Sequence, residues 1–301
     1  MIKWIENLFQ KSGSSQERLF NFKTISSSEV INHSHGIDAL KKGTIDGFLI
    51  KNVLSKQEVD KLIANYEKVD KKEINVINQG LSIFPESFSL LDQRSENSDT
   101  VLDKFFAKAE GFWNKFPETF DFDFVQRVKD IVGQLSNAML VSIPEGTHGK
   151  GSYNPATFKE MSSAGGELKA HCGNYFHKEF GTFYNHLETS SIIKDQLSYF
   201  VMLRPSEKGG ELTLYDLRWD EVKIRQSGDT VLVDEKGKEH DLLDPKKVKR
   251  VSISPEPGDM IVFCGGQIWH KVEYIKGDTN RLTLGGFLSF TKDNKGLYIW
   301  S

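Results

Sequence analysis

The first half of the chain carries its apolar residues mainly at helical intervals, with one strand-like segment among them. Residues 46–54 form an apolar run that predicts a strand leading into a helix. Residues 55–58 have the Ser-x-x-Glu spacing of a capping box, and apolar positions at helical spacing follow over residues 59–66. Two further helices are predicted at about residues 98–116 and 119–136, the second with one continuous apolar face.

The second half changes to short β-type runs that are bounded by glycine, proline and asparagine. These runs lie at residues 139–143, 197–203, 211–215, 248–254, 259–264 and 283–290. Many short strands with turn residues between them favour a β-sandwich or a barrel, and a jelly roll is one of the few all-β folds that enclose a site. We therefore expect a mainly β protein with helical additions.

The pattern divides the chain into three parts. Residues 1–20 combine a short amphipathic segment with a linker, and residues 21–137 form a helix-rich part that we expect to pack on the rest. Residues 138–301 form the β-rich core, which a charged insertion interrupts at about residues 216–250. This insertion is either a solvated excursion or a lid over a binding site, and the sequence leaves both open.

Composition excludes several classes of protein. Hydrophobic residues make up 38% and charged residues 27% of the 301 residues, as in ordinary globular proteins. The net charge of −3 gives no general attraction to nucleic acid polymers or to membranes. No apolar run approaches the about 20 residues that span a bilayer, and residues 1–10 lack the apolar core of a signal peptide. Cys172 and Cys264 do not suggest a disulfide framework. From these observations together we expect a cytoplasmic protein, and we infer no obligate protein partner.

Two histidines, 99 residues apart (270 − 171), are the candidate metal ligands. His171 lies in an Ala-His-Cys-Gly-Asn segment, and His270 follows a strand that a Pro-Gly-Asp turn opens. Two histidines and one carboxylate are the usual protein ligands of a non-haem Fe(II) oxygenase. In this chain Gly173 stands where the carboxylate of a His-x-Asp or His-x-Glu pair would be, so a coordination position is left open.

An arginine and a threonine form the second candidate feature. Arg281 and Thr283 open a predicted strand eleven residues after His270, and their spacing of two places both side chains on one face. A guanidinium with a nearby hydroxyl is a suitable receptor for a carboxylate. The cosubstrate 2-oxoglutarate needs such a receptor at one end and a metal at the other.

The order of these motifs resembles a known enzyme family. The matching segments are Tyr153-x-Pro-Ala-Thr157, Ala170-His-Cys-Gly-Asn174, Asn185-His-Leu187, Asp195-Gln-Leu-Ser-Tyr-Phe200, Gly209-Gly-Glu-Leu212, Tyr215-x-Leu-x-Trp219, Pro257-Gly-Asp-Met260, Gly265-Gly266, His270, Arg281, Gly285-Gly-Phe-Leu288 and Trp300-Ser301. The chain resembles the Fe(II)/2-oxoglutarate-dependent oxygenases, and most closely the freestanding aliphatic halogenases of hapalindole-type indole alkaloids. The resemblance covers residues 153–301 apart from about 220–250 and implies a double-stranded β-helix (jelly-roll, cupin-like) core.

The resemblance implies a role for each matched residue. It makes His171 and His270 the iron ligands and Gly173 the vacant position at which chloride binds the metal. It assigns Arg281 to the far carboxylate of 2-oxoglutarate, with Thr283 assisting. The implied reaction uses Fe(II), 2-oxoglutarate, O2 and chloride to halogenate an unactivated aliphatic carbon of a small molecule.

Further residues are implied around the metal and the substrate. Ser198 would point its hydroxyl into the pocket and help to orient the activated oxygen away from the substrate. Asn174 would contact the halide or a bound water. We expect Leu168, Phe84 and Phe88 to contribute to the substrate wall.

Two alternatives to a halogenase, and the class of substrate, stay open at this point. His177 and Glu179 form a second His-x-Glu pair, which would suit an ordinary hydroxylase or a desaturase of the same superfamily. A jelly-roll binding protein without catalysis is a third possibility. The resemblance suggests an indole alkaloid substrate, whereas Lys159 and Lys169 favour a polar or phosphorylated molecule such as a nucleotide.

Overall fold

The structure is a computed structural model that describes residues 20–78, 80–88, 99–179, 184–219, 224–228 and 230–301. Its helices are α1 (Gly36–Lys41), α2 (Lys56–Tyr66), α3 (Asp99–Phe120), α4 (Phe124–Leu135) and α5 (Gly173–Glu179). The amphipathic segment predicted near the N-terminus lies outside the described residues. None of the helices in the described part is long and apolar enough to cross a membrane.

The strands dominate the second half of the chain, as the sequence predicts. They are β1 (Phe22–Ser26), β2 (Gly47–Lys51), β3 (Asn75–Asn78), β4 (Leu81–Phe84), β5 (Leu140–Ser142), β6 (Thr157–Met161), β7 (Leu168–His171), β8 (Ser191–Arg204), β9 (Leu212–Arg218), β10 (Ile224–Ser227), β11 (Val231–Asp234), β12 (Glu239–Asp241), β13 (Arg250–Ile253), β14 (Met260–Phe263), β15 (Ile268–Val272), β16 (Arg281–Thr291) and β17 (Gly296–Trp300).

Eight of these strands form a jelly roll. Strands β6 to β9 and β13 to β16 are divided between two sheets, and the chain crosses repeatedly from one sheet to the other. The larger sheet contains the order β14-β8-β16-β6, and the smaller sheet has the order β13-β9-β15-β7. This arrangement confirms the predicted double-stranded β-helix core within a mainly β protein.

The N-terminal part extends the larger sheet rather than standing apart from it. Strand β2 pairs with β14 at one edge, and β4 pairs with β6 at the other. The ring of Phe120 at the end of α3 stacks on Phe116, and it also lies 5.5 Å from the Phe158 ring on β6. The boundary at residue 137 therefore marks a change in the sequence pattern, and one continuous sheet contains strands from both sides of it.

Local sequence explains the helices that cover this sheet. Ser55 and Glu58 form the predicted capping box of α2, because each side chain accepts a hydrogen bond from the other residue's backbone N–H. Helix α4 begins after Asp123, whose carboxylate accepts from the backbone of Gln126, and its apolar face is buried. Both helices thus begin at side chains that satisfy otherwise unpaired N–H groups.

The charged insertion folds into a sheet of its own. Strands β10, β11 and β12 pair in sequence order, and Leu232 and Leu242 pack into a buried cluster with Trp219 and Trp269. Trp269 belongs to β15, so the insertion covers the outer face of the smaller sheet.

Candidate active site

The two candidate metal ligands face each other across neighbouring strands. His171 on β7 and His270 on β15 are paired in register, and their ring centroids lie 4.2 Å apart. Ala170, Cys172 and Trp269, which flank them in sequence, are buried in the cluster on the outer face of the sheet. Because side chains alternate along a strand, both imidazoles point to the inner face, between the two sheets.

Backbone carbonyls orient both rings. Nδ1 of His171 donates to the Lys169 carbonyl at 2.7 Å, and Nδ1 of His270 donates to the Ile268 carbonyl at 2.8 Å. This leaves Nε2 of each ring with its lone pair available, as in most histidine ligands of metals. Burial lowers the pKa of His171 to about 4 and places the pKa of His270 well below its ordinary value. Both rings are therefore neutral near pH 7, which is the form that binds a metal.

Gly173 occupies the position next to this pair without offering a ligand. Its N–H donates to the Gly265 carbonyl at 2.8 Å, which ties the start of α5 to the turn between β14 and β15. A Cβ at position 173 would lie 2.9 Å from Nε2 of Gln196 and 3.0 Å from Cα of Gly266. Glycine is thus the residue that this close packing accommodates.

Asn174 uses its side chain to clamp two elements together. Nδ2 of Asn174 donates to the Asp195 carboxylate at 2.6 Å, and its Oδ1 accepts from the Asp195 N–H at 2.8 Å. The residue is 3% exposed. This clamp joins α5 to β8, and the predicted contact of Asn174 with a halide stays a prediction.

Ser198 lies against the same glycine turn. A Cβ at Gly265 would come within 2.1 Å of the Ser198 hydroxyl, so the turn packs closely onto that side chain. Phe263, the strand partner of Ser198, meets the His270 ring edge-on at a centroid distance of 4.9 Å. The structure thus brings Ser198 close to the elements that carry the histidines, while its proposed action on the reaction stays a prediction.

The arginine and threonine of β16 form a buried polar pair, each 3% exposed. Nε of Arg281 has no hydrogen-bond partner in the described part of the chain. Burial lowers the pKa of Arg281 to about 10, although the charge of Glu211 opposes this effect. The guanidinium carbon lies 5.3 Å from the centre of the Phe200 ring. A buried guanidinium with an unused donor suits a carboxylate ligand.

Lys159, which the sequence suggested as a contact for a phosphorylated substrate, adds a second cation on the strand next to Arg281 and Thr283. It is opposite Thr283 in the pairing of β6 with β16, and the Thr283 hydroxyl donates to the Lys159 carbonyl at 3.5 Å. Burial, and then the charge of Arg281, lower the pKa of Lys159 to about 8. Since residues paired directly across two strands share a face, the Lys159 side chain lies on the same face as Thr283, with Nζ 5.4 Å from the centre of the Phe287 ring.

These features fit Fe(II) and 2-oxoglutarate. Two neutral imidazoles with free Nε2 atoms suit the metal. Two neighbouring cations, one with an unsatisfied buried N–H, suit the dianionic cosubstrate, because buried charge of one sign is costly until a counter-charge binds. His171 and His270 face each other in the smaller sheet, Arg281 and Thr283 lie buried on β16 of the larger sheet, and their roles as ligands of metal and cosubstrate stay predictions.

The residues predicted for the substrate wall are packing residues in this structure. The ring of Phe84 meets Phe112 edge-on at 5.1 Å, and Phe88 lies 5.0 Å from the Tyr153 ring, both 4% exposed. Leu168 packs against an apolar cluster between the sheets. A role in substrate binding stays a prediction for all three.

The rival ligand pair is arranged differently. His177 lies within α5, and its Nε2 is 2.7 Å from a carboxylate oxygen of Glu188. The side chain of Glu179 lies outside the described residues. The strand partner of His270 is His171, so the geometry favours the pair His171 and His270.

A cavity of about 290 Å³ lies beside α5. It is lined by Asn174, His177, Lys178, Lys194, Trp219 and Glu235. Glu235 comes from the charged insertion, so this part of the insertion borders space next to α5 as well as covering the outer face of the smaller sheet.

Comparison with known proteins gives a family. The profile of the family described as "carrier-protein-independent halogenase WelO5" matches residues 19–301. Among solved structures the chain is similar to an N-substituted L-amino acid dioxygenase from Burkholderia ambifaria AMMD, with 15% identity, a TM-score of 0.49 and coverage of 89% of this chain and 91% of that chain. A prolyl-4-hydroxylase from Pseudomonas putida has 15% identity and a TM-score of 0.40, with coverage of 85% and 96%. No curated protein sequence matches the chain.

The profile match is decisive because of its length. It spans 283 residues (301 − 19 + 1) and includes the histidine pair, Gly173 and Arg281. The chain therefore belongs to the family of carrier-protein-independent halogenases, and it is an Fe(II)- and 2-oxoglutarate-dependent oxidoreductase.

Proposed function

We propose that the protein replaces a hydrogen on an unactivated aliphatic carbon of a freestanding small molecule with chloride or bromide. The observation that carries this proposal is Gly173, which stands beside two oriented histidines where a carboxylate ligand would otherwise bind. Family membership supports the same conclusion.

Charge balance explains why a halide suits this position. His171 and His270 are neutral ligands, so they leave the charge of a divalent metal uncompensated. In an ordinary hydroxylase the aspartate or glutamate supplies one negative charge at this place. A halide carries the same charge and needs no side chain, and Gly173 supplies none.

The chain's own residues then have distinct tasks. His171 and His270 would hold Fe(II), and Arg281 with Thr283 would bind the distal carboxylate of 2-oxoglutarate. Lys159 would add a second positive charge at that end. When bound, iron, 2-oxoglutarate and O2 supply the oxidising chemistry that removes the hydrogen.

Positioning of the substrate would decide between halogen and hydroxyl transfer. A displacement of about 1 Å can change a rate on the order of a hundredfold, so small differences in the pocket suffice to set the product. Ser198 lies beside the glycine turn that carries Gly173, and we assign it to orientation within this space.

The structure weakens one argument about the substrate. The sequence considered Lys159 and Lys169 as receptors for a phosphorylated molecule, but Lys169 is exposed. Lys159 is opposite Thr283, two residues from Arg281 on β16, where its charge would serve the cosubstrate. The lysines therefore give no separate support to a nucleotide, and the indole alkaloid class stays the substrate that the resemblance suggests.

A halide titration tests the proposal without a known substrate. Anaerobic addition of Fe(II) and 2-oxoglutarate should produce a visible charge-transfer band, and chloride should shift it. Bromide should shift it by a different amount, because a different ligand then binds the metal. A band that neither halide shifts would support a hydroxylase or desaturase. The absence of any band would support a non-catalytic binding protein.

A further inference from the structure

Gln196 on β8 is a buried carboxamide whose packing has no explanation within the fold. The residue is 4% exposed, and its Oε1 has no hydrogen-bond partner in the described part of the chain. Buried amides in folded proteins are normally hydrogen-bonded, since desolvation without a partner is unfavourable. The unpaired Oε1 is an acceptor and calls for a donor such as an ordered water, while Nε2 of the same amide faces position 173.

The carboxamide is directed at the missing ligand. Its Nε2 lies 2.9 Å, and its Cγ 3.3 Å, from the point where a Cβ at position 173 would be. The side chain of an aspartate at position 173 would extend from this point. The N–H donors of Gln196 therefore stand beside the space that glycine leaves open, on the side formed by the larger sheet.

Backbone contacts hold Gln196 at this place. Its carbonyl accepts from the Gly266 N–H at 2.8 Å, and a Cβ at Gly266 would lie 2.6 Å from that carbonyl oxygen. The preceding residue, Asp195, is clamped to Asn174 and adopts a φ of +64°. In the same glycine turn, the Gly265 carbonyl accepts a hydrogen bond from the Gly173 N–H. Residues 173 and 196 are thus fixed relative to each other.

We infer that Gln196 is a halide-positioning residue, whose Nε2–H donates to the anion bound beside Gly173. The inference rests on the proposed function. An anion in a buried site loses its hydration shell, and N–H donors replace part of it. A neutral carboxamide does this without adding charge, so the halide supplies the negative charge at the position beside Gly173. The fixed amide would also hold the halide on one side of the metal.

The test compares halide affinity with cosubstrate affinity in variants of the whole protein. Gln196→Met keeps the length of the side chain and removes its donors. We expect the dissociation constant for chloride, read from the band shift of the anaerobic Fe(II)–2-oxoglutarate complex, to rise at least about tenfold. The 2-oxoglutarate concentration that gives half of the band should change less than about threefold.

Gln267→Met is the matched control. Gln267 directly follows the glycine turn, and its side chain accepts from Arg218 at 3.3 Å. The same substitution there should leave chloride affinity unchanged. Gln196→Glu is a second variant of nearly unchanged shape, and its negative charge should abolish the chloride response, which gives a result even if the methionine variant does not fold.

The outcomes separate the two levels of the argument. A wild-type complex that ignores halides overturns the proposed function and this inference together. A wild-type complex that responds, with Gln196→Met and Gln196→Glu responding at the same chloride concentration, overturns the inference alone. Equal loss of chloride affinity in Gln196→Met and Gln267→Met also overturns it, because the effect would then come from disturbance of the turn.

Discussion

The two sheets of the jelly roll contribute different chemistry to one site. The smaller sheet carries the neutral imidazoles of His171 and His270, the proposed iron ligands, which backbone carbonyls orient. The larger sheet supplies the cations Arg281 and Lys159 and the carboxamide of Gln196. Under the proposed function, metal binding would depend on ring orientation within one sheet, whereas anion binding would depend on how the strands of the other sheet are paired.

Removing a histidine should have the largest effect, because it breaks the contribution of the smaller sheet. His171→Ala and His270→Ala should each abolish the charge-transfer band and reduce bound iron to a trace. Loss of one of two protein ligands leaves the metal without a stable site. Metal analysis after desalting, together with the anaerobic spectrum, measures this.

His177→Ala is the control for the histidine variants. Its ring is engaged with Glu188, so the variant should keep most of its iron. If the protein folds but loses iron only when His177 is removed, the ligand pair is the rival one, and the division between the sheets described above is wrong.

Changes at Gly173 should come next, because this residue lies where the two sheets meet. Gly173→Asp should remove the halide response completely, since a carboxylate would take the place of the anion. The variant should also lose thermal stability, because its Cβ would crowd Gln196 and Gly266. Spectral titration and thermal unfolding measure the two effects.

Gly173→Ala distinguishes crowding from ligand replacement. It adds the same Cβ without a carboxylate, so it should lose a similar amount of stability while keeping a weakened halide response. A halide response that survives unchanged in Gly173→Asp would contradict the location of the anion beside residue 173.

Arg281→Ala should then weaken the cosubstrate end of the site. We expect about a hundredfold rise in the 2-oxoglutarate concentration required, since breaking a buried charge pair typically costs about 2–5 kcal/mol. Bound iron should be nearly unchanged, because the histidines lie on the other sheet. Unchanged cosubstrate affinity would remove Arg281 from the site.

Lys159→Met should have the smallest effect, about a tenfold loss of 2-oxoglutarate affinity, because Arg281 remains. Burial lowers the pKa of Lys159 to about 8, so its charge is lost as the pH rises through that value. Cosubstrate affinity of the wild type should therefore fall in alkaline solution, and the fall should be smaller in Lys159→Met. Titration of the visible band between neutral and alkaline pH measures this.

The same pKa determines how stability responds to pH without ligands. Between pH 8 and the ordinary lysine value of 10.5, the unfolded chain keeps a proton that the folded protein has lost. The free energy of unfolding should therefore gain a rising contribution from Lys159 over this interval. Below pH 8 both states carry the proton, so the group adds no pH dependence. Denaturant unfolding of wild type and Lys159→Met at several pH values checks the sign.

Several features of the protein could be predicted from the sequence alone. The helices α2 to α4 and most of the core strands lie where the periodicity indicated them, because capping residues and alternation act over a few positions. His171, His270 and Arg281 stood out because imidazole and guanidinium groups suit metal and carboxylate binding, and Gly173 stood out because it lacks the side chain of a carboxylate ligand. Among the described residues the sequence missed ten strands, each of three to five residues with a weak pattern: β1, β3, β4, β6, β7, β10, β11, β12, β15 and β17.

Tertiary structure decided the remaining features. Lys159 belongs to the site because β6 pairs with β16 in the register that places it opposite Thr283. Gln196 faces Gly173 because the glycine turn and the Asn174–Asp195 clamp join different elements. Phe84 and Phe88 are buried because the fold brings the rings of Phe112 and Tyr153, from distant segments, into contact with them. These outcomes depend on contacts between distant segments, and the local patterns that determine helices and strands carry no information about which distant side chains will meet.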